Sequence, residues 1–222
     1  MALKLLTFNV NDFWHPNSRA SFESAAKRWG CDIVEIKDYL GCGNPFAAKF
    51  RIDQFCGPGD RCLYLDADML IRSDCPSPFD LVPLNKMGAV LNFQGDTHRG
   101  VPEMYQRPSW EAACAMLDIQ RPYSDAEYIN GGVILFSDNP QHLSLIGDLG
   151  VRITDTKGVN EQAAWSVAMS YTGYAHYLPR TFNRVGPAVW ERGDVMADFV
   201  WHFAGYMEHR DKRRIADIHW RV

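Results

Sequence analysis

The stretch Arg61–Arg72, RCLYLDADMLIR, decides the fold that we predict for this chain. An apolar run, Cys62–Leu65, leads directly into Asp66-Ala67-Asp68, and a second apolar run, Met69–Ile71, follows it. Short apolar runs with aromatic and branched members are typical of a strand that is buried on both faces. The two carboxylates then stand at the carboxyl end of this strand, where open α/β sheets bind their ligands. The stretch therefore predicts an α/β sheet with a ligand site at its edge.

Asp66 and Asp68 have the chemistry of a cation site. On extended chain, side chains at i and i+2 point to the same side, so the two carboxylates can hold one hard cation together. Such oxygen ligands suit Mg²⁺ or Mn²⁺, whose remaining positions phosphate oxygens and water can fill. An isolated pair of aspartates is weak evidence, because Asp more often caps a helix or is solvated. The flanking apolar runs favour the cation site, since polar groups that interrupt a buried run need a partner.

Length and charge indicate one globular domain without an overall preference for polyanions. With 222 residues, the chain can bury one substantial core but hardly two independent ones. Its net charge of −4 gives no general attraction to nucleic acid or to an anionic membrane. The basic run RDKRR at 210–214 is most often a solvated face, although it could meet a diphosphate or an acidic acceptor. We expect a single domain over residues 1–222, with a basic tail at 206–222.

Two features indicate a cytoplasmic location. The start, MALKLL, turns polar too soon for a signal peptide, and no later apolar run approaches the length of a membrane span. The six cysteines form no C-x-x-C pair and have no companion histidine spacing, so reduced, partly buried thiols are favoured over zinc or disulfides. We therefore expect a cytoplasmic protein without integral membrane association.

Strands and helices alternate over the first third of the chain, which predicts a parallel sheet covered by helices. A strand at 3–10 is followed by a helix at 18–29, a strand at 32–36 and a helix that begins at Asn44-Pro45. The loop after the first strand usually touches the nucleotide in a doubly wound fold. The candidate nucleotide contacts at this strand end are Phe8, Asn9, Asn11 and Asp12.

The rest of the chain predicts further strands around a long polar loop. Strands are expected at 88–91, 128–136 and 198–201, and helices at 109–117 and 160–170. The glycine-containing stretch 93–108 has the length of a lid or binding loop. Asn130-Gly131-Gly132 interrupts an apolar run, and glycines inside a strand permit either the close approach of a ligand or a simple bulge.

Five motifs together resemble, in order and spacing, those of glycosyltransferase family 8: FAAKFR, LYLDADMLI, INGGVILF, NEQAAW and HFAG. The resemblance runs from Leu5 to Gly205. This family of retaining sugar transferases includes glycogenin and bacterial lipooligosaccharide galactosyltransferases. The resemblance implies the GT-A nucleotide-diphospho-sugar transferase fold, a mainly parallel, Rossmann-like sheet covered by helices. It also implies metal-dependent, retaining transfer of a hexosyl group from a nucleotide sugar, with uracil as the base. Within the single domain it implies a nucleotide-binding half at about 1–72 and a sugar- and acceptor-binding half at about 73–205.

The resemblance further implies roles for individual residues. Asp66 and Asp68 would bind Mn²⁺ or Mg²⁺, with His202 of the H-x-x-G motif as the third protein ligand. Glu161 and Gln162 match the Asp-Gln pair that lies beside the reacting carbon, and with Asn130 they are the implied catalytic residues. The implied donor contacts, besides those after the first strand, are Lys49, which stands where similar enzymes carry an arginine, and Asp66, Ala67, Asn92, Asn130, Gly131, Gly132, Gly205 and Lys212.

The chain departs from the family pattern in two places. Asn92 stands where relatives often carry an acid that binds sugar hydroxyls, so the identity of the sugar stays open. The closing H-x-x-G-x-x-K-P-W becomes HFAGYMEH at 202–209, which removes the lysine that normally meets the diphosphate. Lys212, Arg213 or His209 could replace that lysine.

Other functions were weighed against the same residues. A sugar-1-phosphate nucleotidylyltransferase should carry a glycine-rich, basic loop after its first strand, and 9–14 contains no glycine. A haloacid-dehalogenase-type phosphatase should carry its D-x-D near the start, with Thr or Val two residues later, where Leu70 stands. A catalytically inactive sugar-nucleotide-binding protein on the same fold fits the lost K-P-W, and turnover would separate it from an enzyme. The acceptor stays open among a glycan, a protein, a lipid-linked sugar and a nucleic acid, and the oligomeric state is not indicated.

Overall fold

The computed structural model describes residues 1–12, 14, 17–92, 102–153, 160–185 and 198–202. The strands are β1 (Leu3–Phe8), β2 (Asp32–Ile36), β3 (Arg61–Leu65), β4 (Met69–Ile71), β5 (Met87–Leu91), β6 (Ile129–Ser137), β7 (Ala175–Leu178), β8 (Arg184–Val185) and β9 (Val200–His202). The helices are α1 (Ser18–Trp29), α2 (Pro45–Ala48), α3 (Pro78–Leu81), α4 (Pro102–Leu117), α5 (Pro140–Arg152) and α6 (Glu161–Thr172). Turns of 3-10 helix lie at Val10–Asp12, Lys49–Phe55, Asp125–Glu127 and Arg180–Phe182.

The central sheet has the order β2-β1-β3-β6-β5-β7 within the described residues. β1 pairs in parallel with β2 and β3, and β5 pairs in parallel with β7. β6 runs antiparallel to both of its neighbours, β3 and β5. The amino end of β6 therefore lies at the edge where the parallel strands end. A mainly parallel sheet flanked by helices is what the sequence predicts, and this prediction is confirmed.

Alternate residues of the central strands face two different cores, as the strand period of two requires. On one face, Leu6, Tyr64 and Ile134 pack with apolar residues of α4, α5 and α6. On the other face, Leu5, Leu63 and Leu135 pack with apolar residues of α1 and α3 and of the small sheet β4-β9-β8. β3 is buried along its whole length, as its apolar sequence predicts.

Several element boundaries differ from the predicted ones. α4 begins at Pro102 rather than at residue 109, so residues 102–108 belong to a helix and not to the expected loop. Proline suits this first helical position, because its missing N–H has no partner there. Residues 93–101 of the expected loop lie outside the described part of the chain. α5 and β7 were not predicted, whereas the cap of α2 was: Asn44 Oδ1 accepts a hydrogen bond from the Ala47 N–H at 2.9 Å.

Within the described residues, no helix combines the length and the apolar character needed to cross a membrane.

Candidate active site

Asp66 and Asp68 lie in a tight turn between β3 and β4. The N–H of Met69 donates a hydrogen bond to the Asp66 carbonyl at 3.2 Å, so the chain reverses here instead of continuing as a strand. The expectation that extended chain points both carboxylates to one side is therefore wrong, because β3 ends at Leu65. β4 pairs antiparallel with β9, and Met69 lies opposite His202. This pairing places the histidine beside the two carboxylates.

Asp66, Asp68 and His202 form a cluster that could hold a metal ion. One ligand atom from each lies within 4.8 Å of the others. His202 Nε2 is 3.3 Å from Asp68 Oδ1 and 3.5 Å from Asp66 Oδ2. Burial alone would lower the pKa of His202, but the carboxylates of Asp68 and Asp66 outweigh this effect and raise it above its ordinary value. Two carboxylates and one imidazole are a suitable donor set for Mn²⁺ and an acceptable one for Mg²⁺.

The backbone of β6 packs closely against this cluster at Gly132. A Cβ at this position would lie 2.7 Å from His202 Cε1 and 2.9 Å from Asp66 Oδ2, closer than real Cβ contacts. Only glycine lets the strand approach the carboxylate and the imidazole so closely. Residue Ala67, between the two aspartates, is buried.

The register between β5 and β6 shifts beside the cluster. Ala89 pairs with Ile134, but the next residue, Val90, pairs with Asn130, so residues 131–133 have no partner in β5. Residues 131–133 therefore form a bulge in β6, which is one of the two alternatives that the sequence left open. The other alternative, the close approach of a ligand, stays a prediction.

Side chains bind the backbone groups that the bulge releases. The Gly131 N–H donates to Gln162 Oε1 at 3.2 Å, and the Gly131 carbonyl accepts from Lys49 Nζ at 3.3 Å. The Gly132 N–H donates to Asn130 Oδ1 at 2.9 Å. Gln162, Lys49 and Asn130 thus hold the bulge in place.

Lys49 is buried between two acidic groups. Its Nζ lies 2.9 Å from Asp66 Oδ1 and 3.7 Å from Glu161 Oε1. Burial alone would lower the pKa of Lys49, but these two carboxylates outweigh burial and raise it above its ordinary value. The Tyr64 hydroxyl also donates to Asp66 Oδ1, so this carboxylate is held from two sides.

Glu161 and Gln162 form the first turn of α6. Asn160 caps the helix, because its Oδ1 accepts from the Gln162 N–H at 2.9 Å. Glu161 faces inward: its Oε1 is 3.3 Å from the position that a Cβ on Gly131 would take. Burial raises the pKa of Glu161, and the Lys49 ammonium partly offsets the rise. Glu161 therefore belongs to the site rather than only favouring the helix dipole.

Three asparagines link β5, β6 and β9. Asn130 Nδ2 donates to Asn92 Oδ1 at 3.1 Å, and Asn183 Nδ2 donates to Asn130 Oδ1 at 2.9 Å. Asn183 Oδ1 lies 3.0 Å from His202 Nδ1. Sequence reasoning missed Asn183, because it follows a short 3-10 turn and carries no motif. Asn92, which directly follows β5, thus accepts a hydrogen bond from a side chain of β6.

The other predicted donor contacts lie at the end of β1 or outside the described residues. Phe8 packs against Tyr64 with ring centroids 5.7 Å apart. Asn9 is buried and donates from Nδ2 to Glu35 Oε2 at 2.7 Å, and Asn11 has a positive φ of 61°. The backbone of Asp12 ends the 3-10 turn. β1 and β3 are parallel neighbours, so this turn lies at the same sheet edge as Asp66.

The remaining predicted donor contacts, and the residues that could replace the missing lysine, lie outside the described residues: Gly205, Lys212, Arg213 and His209.

The fold is the GT-A-like fold of glycosyltransferases, with the acidic cluster at the carboxyl ends of its parallel strands. A solved structure of a glycosyltransferase involved in the glycosylation of the major capsid of PBCV-1 has a TM-score of 0.63 at 11% identity, covering 98% of this chain and 100% of that chain. The bifunctional glycosyltransferase WbbM has a TM-score of 0.60 at 12% identity, covering 92% of this chain and 46% of that chain. Mouse xyloside xylosyltransferase 1 has a TM-score of 0.54 at 13% identity, covering 92% of this chain and 98% of that chain.

No protein-family model and no curated protein matches the chain. Identities this low show the fold alone, so membership of glycosyltransferase family 8 stays a prediction.

Proposed function

We propose that this protein is a glycosyltransferase that moves a sugar from a nucleoside diphosphate sugar to an acceptor, with dependence on Mn²⁺ or Mg²⁺. The convergence of Asp66, Asp68 and His202 at the carboxyl ends of the parallel strands carries the proposal. Solved glycosyltransferases share this fold, and the five motifs resemble those of glycosyltransferase family 8. The family resemblance supports UDP as the nucleotide and retention of the anomeric configuration.

The charge balance of the site supports the dependence on a metal. Asp66, Asp68 and Glu161 provide three carboxylates, against which Lys49 provides one ammonium and His202, when protonated, one further positive charge. A diphosphate entering this site alone would meet net negative charge in a partly desolvated place, which is unfavourable. A divalent cation, when bound by Asp66, Asp68 and His202, neutralises the charge that grows on the departing diphosphate.

The remaining side chains position the reacting groups. Lys49, Gln162 and Asn130 hold the β6 bulge, so that Gly131 and Gly132 present backbone to the donor sugar without side chains in the way. The Glu161 carboxylate, when ionised, can stabilise the positive charge that develops at the anomeric carbon. Two routes give retention of the anomeric configuration. In the first, the acceptor attacks from the face of the leaving group, and the departing phosphate takes the acceptor's proton. In the second, the reaction passes through a covalent intermediate on Glu161 or Gln162.

Release of nucleotide from a donor tests the proposal. The purified chain is incubated with UDP-, GDP- and ADP-sugars in the presence of Mn²⁺, Mg²⁺ or EDTA, and free nucleotide is measured. We expect metal-dependent release from one donor, reduced at least about 100-fold in Asp68→Ala, because the carboxylate that helps to hold the cation is lost.

Asp148→Ala is the matched control, since Asp148 lies exposed on α5 and contributes nothing to the cluster. We expect it to release nucleotide at the wild-type rate. Metal-dependent binding of nucleotide without release from any donor would point instead to a strict requirement for the acceptor or to an inactive sugar-nucleotide-binding protein. Absence of both binding and release would contradict the proposal as a whole.

A further inference from the structure

A chain of buried hydrogen bonds connects the β6 bulge to the imidazole of His202. It begins at the Gly132 N–H, passes through Asn130 and Asn183, and ends at His202 Nδ1. Asn130, Asn183 and His202 are exposed by only 6%, 6% and 4%, so water competes little for these bonds. Buried polar groups of this kind must satisfy one another.

The direction of every bond in this chain follows from its first member. A backbone N–H can only donate, so the atom that it meets at 2.9 Å must be the Asn130 oxygen and not its nitrogen. The side-chain atom of Asn183 that contacts this same oxygen at 2.9 Å must then be its NH₂ group. The oxygen of Asn183 is left to face His202 Nδ1 at 3.0 Å. An oxygen can only accept here, so Nδ1 must carry a proton.

The remaining ring nitrogen faces the two aspartates. A neutral imidazole with a proton on Nδ1 has its lone pair on Nε2. Nε2 is the nitrogen that lies 3.3 Å from Asp68 Oδ1 and 3.5 Å from Asp66 Oδ2. In the neutral form that binding of a metal ion requires, the lone pair therefore faces the place where the carboxylate oxygens converge.

We propose that Asn183 is a positioning residue that fixes His202 in the Nδ1–H tautomer and so directs the Nε2 lone pair to the metal ion. This inference rests on the proposed function, because it needs Asp66, Asp68 and His202 to hold a metal. Partners that bind the second nitrogen of a ligating histidine fix its tautomer and ring orientation. Asn183 holds a suitable position for this role, since β8 begins at the next residue and pairs in parallel with β9, which carries His202.

Two substitutions distinguish the hydrogen-bond acceptor that Asn183 provides from the space that its side chain fills. Asn183→Leu keeps a similar volume but removes the oxygen that accepts the Nδ1 proton. Asn183→Asp keeps an accepting oxygen for His202 and loses the NH₂ that reaches Asn130. Mn²⁺ affinity of the full chain is measured by electron paramagnetic resonance, without any donor. We expect Asn183→Leu to lower the affinity about 10- to 100-fold and Asn183→Asp to recover most of that loss.

The nitrogen resonances of ¹⁵N-histidine-labelled protein provide a second readout. The Zn²⁺-loaded protein is diamagnetic, and the His202 resonances are those that disappear in His202→Gln. We expect a proton on Nδ1 and the metal on Nε2 in the wild type and in Asn183→Asp, and loss of this pattern in Asn183→Leu. If Asn183 contributed only to folding, Asn183→Leu and Asn183→Asp would not differ in this pattern.

The control is Asn139→Leu, which removes the N-cap of α5, a helix that contributes no residue to the site. It weakens the N-terminus of α5 and should leave Mn²⁺ affinity unchanged. Wild-type affinity in Asn183→Leu, or a wild-type spectrum with the proton on Nε2, would overturn the inference while leaving the metal site intact. Equal Mn²⁺ affinity in the wild type and Asp68→Ala would instead remove the metal site and the proposed function with it.

Discussion

At the scale of single residues, Gly132 shapes the site through the side chain that it lacks. Its Cα faces His202, Met69 and Asp66, and an added methyl group would lie 2.7 Å from both His202 Cε1 and Met69 Cε. His202 is itself held by Asn183 and cannot move without breaking that bond. The site therefore has little freedom to absorb even one extra carbon at this position.

We expect Gly132→Ala to weaken Mn²⁺ binding by about 10-fold, because the methyl group displaces His202 or Asp66 from the position suited to a shared cation. Titration of the full chain with Mn²⁺ measures the effect. Gly131→Ala is the matched control, since its Cβ would lie 3.3 Å from flexible side-chain atoms of Glu161 and Gln162 and should affect Mn²⁺ binding less. Equal effects of the two substitutions would contradict the steric argument.

At the scale of elements, α5 packs directly on the backbone that carries Lys49. Gly150 of α5 lies so close to the 3-10 segment Lys49–Phe55 that a Cβ would be 2.5 Å from the Phe50 carbonyl oxygen. Gly147, one turn earlier in the same helix, has its nearest neighbouring atom, Asp53 Oδ2, at 4.0 Å. The two glycines thus have the same helical context and very different surroundings.

We expect Gly150→Ala to lower the free energy of unfolding by about 1–3 kcal/mol, because the carbonyl it meets is backbone and cannot turn aside. Gly147→Ala should raise the free energy of unfolding by about 0.5–1 kcal/mol, since alanine loses less conformational entropy in a helix. Urea unfolding with an unchanged m-value measures both. Stabilisation by both substitutions would show that α5 does not approach the Lys49 segment this closely.

At the scale of the whole molecule, the pH dependence of stability includes a contribution from a buried histidine outside the candidate active site. His142 of α5 is fully buried, and its Nδ1 lies 3.1 Å from Ser137 Oγ at the end of β6. Burial lowers the pKa of His142 below its ordinary value of 6.5. The unfolded chain therefore takes up a proton at this residue before the folded protein does.

The sign of the effect on stability follows from linkage. The stability that comes from a neutral His142 is fully present above pH 6.5 and is lost as the pH falls through the lowered pKa of the folded state. We expect the free energy of unfolding of the wild type to fall more steeply below this pH than that of His142→Gln, by up to about 1.4 kcal/mol per pH unit. Urea unfolding at a series of pH values tests this; parallel curves for the two proteins would contradict it. His202 titrates in both proteins, so its contribution cancels.

The sequence predicts those parts of the molecule that local pattern determines. The burial of β3, the cap of α2 by Asn44 and the first turn of α6 at Glu161 follow from apolar runs and from capping residues. The start of α4 could not be predicted in the same way, although its end at Leu117 was. Its polar first turns look like a loop, and Pro108 lies inside the helix, where proline is ordinarily unfavourable.

The sequence argument for the site did not foresee how its side chains meet. Extended chain was expected to bring Asp66 and Asp68 together, and His202 was added on the family resemblance alone. In the structure, a turn and the β4-β9 pairing bring the three side chains together, and their role as metal ligands stays a prediction. Asn183 carries no local signal, because its contribution depends on three strands that are distant in sequence. A sequence shows which groups can act, whereas contacts between distant segments decide which of them meet.

The β6 bulge also constrains how the chain can change in length. Ala89 pairs with Ile134 and Val90 pairs with Asn130, so residues 131–133 are three extra residues of β6 that have no partner in β5. Insertion or deletion of one residue here would turn Asn130 to the opposite face of the sheet, since side chains alternate along a strand. The number of residues in this segment is therefore as restricted as their identity. Changes in length are therefore expected to be tolerated in surface loops and not in this strand.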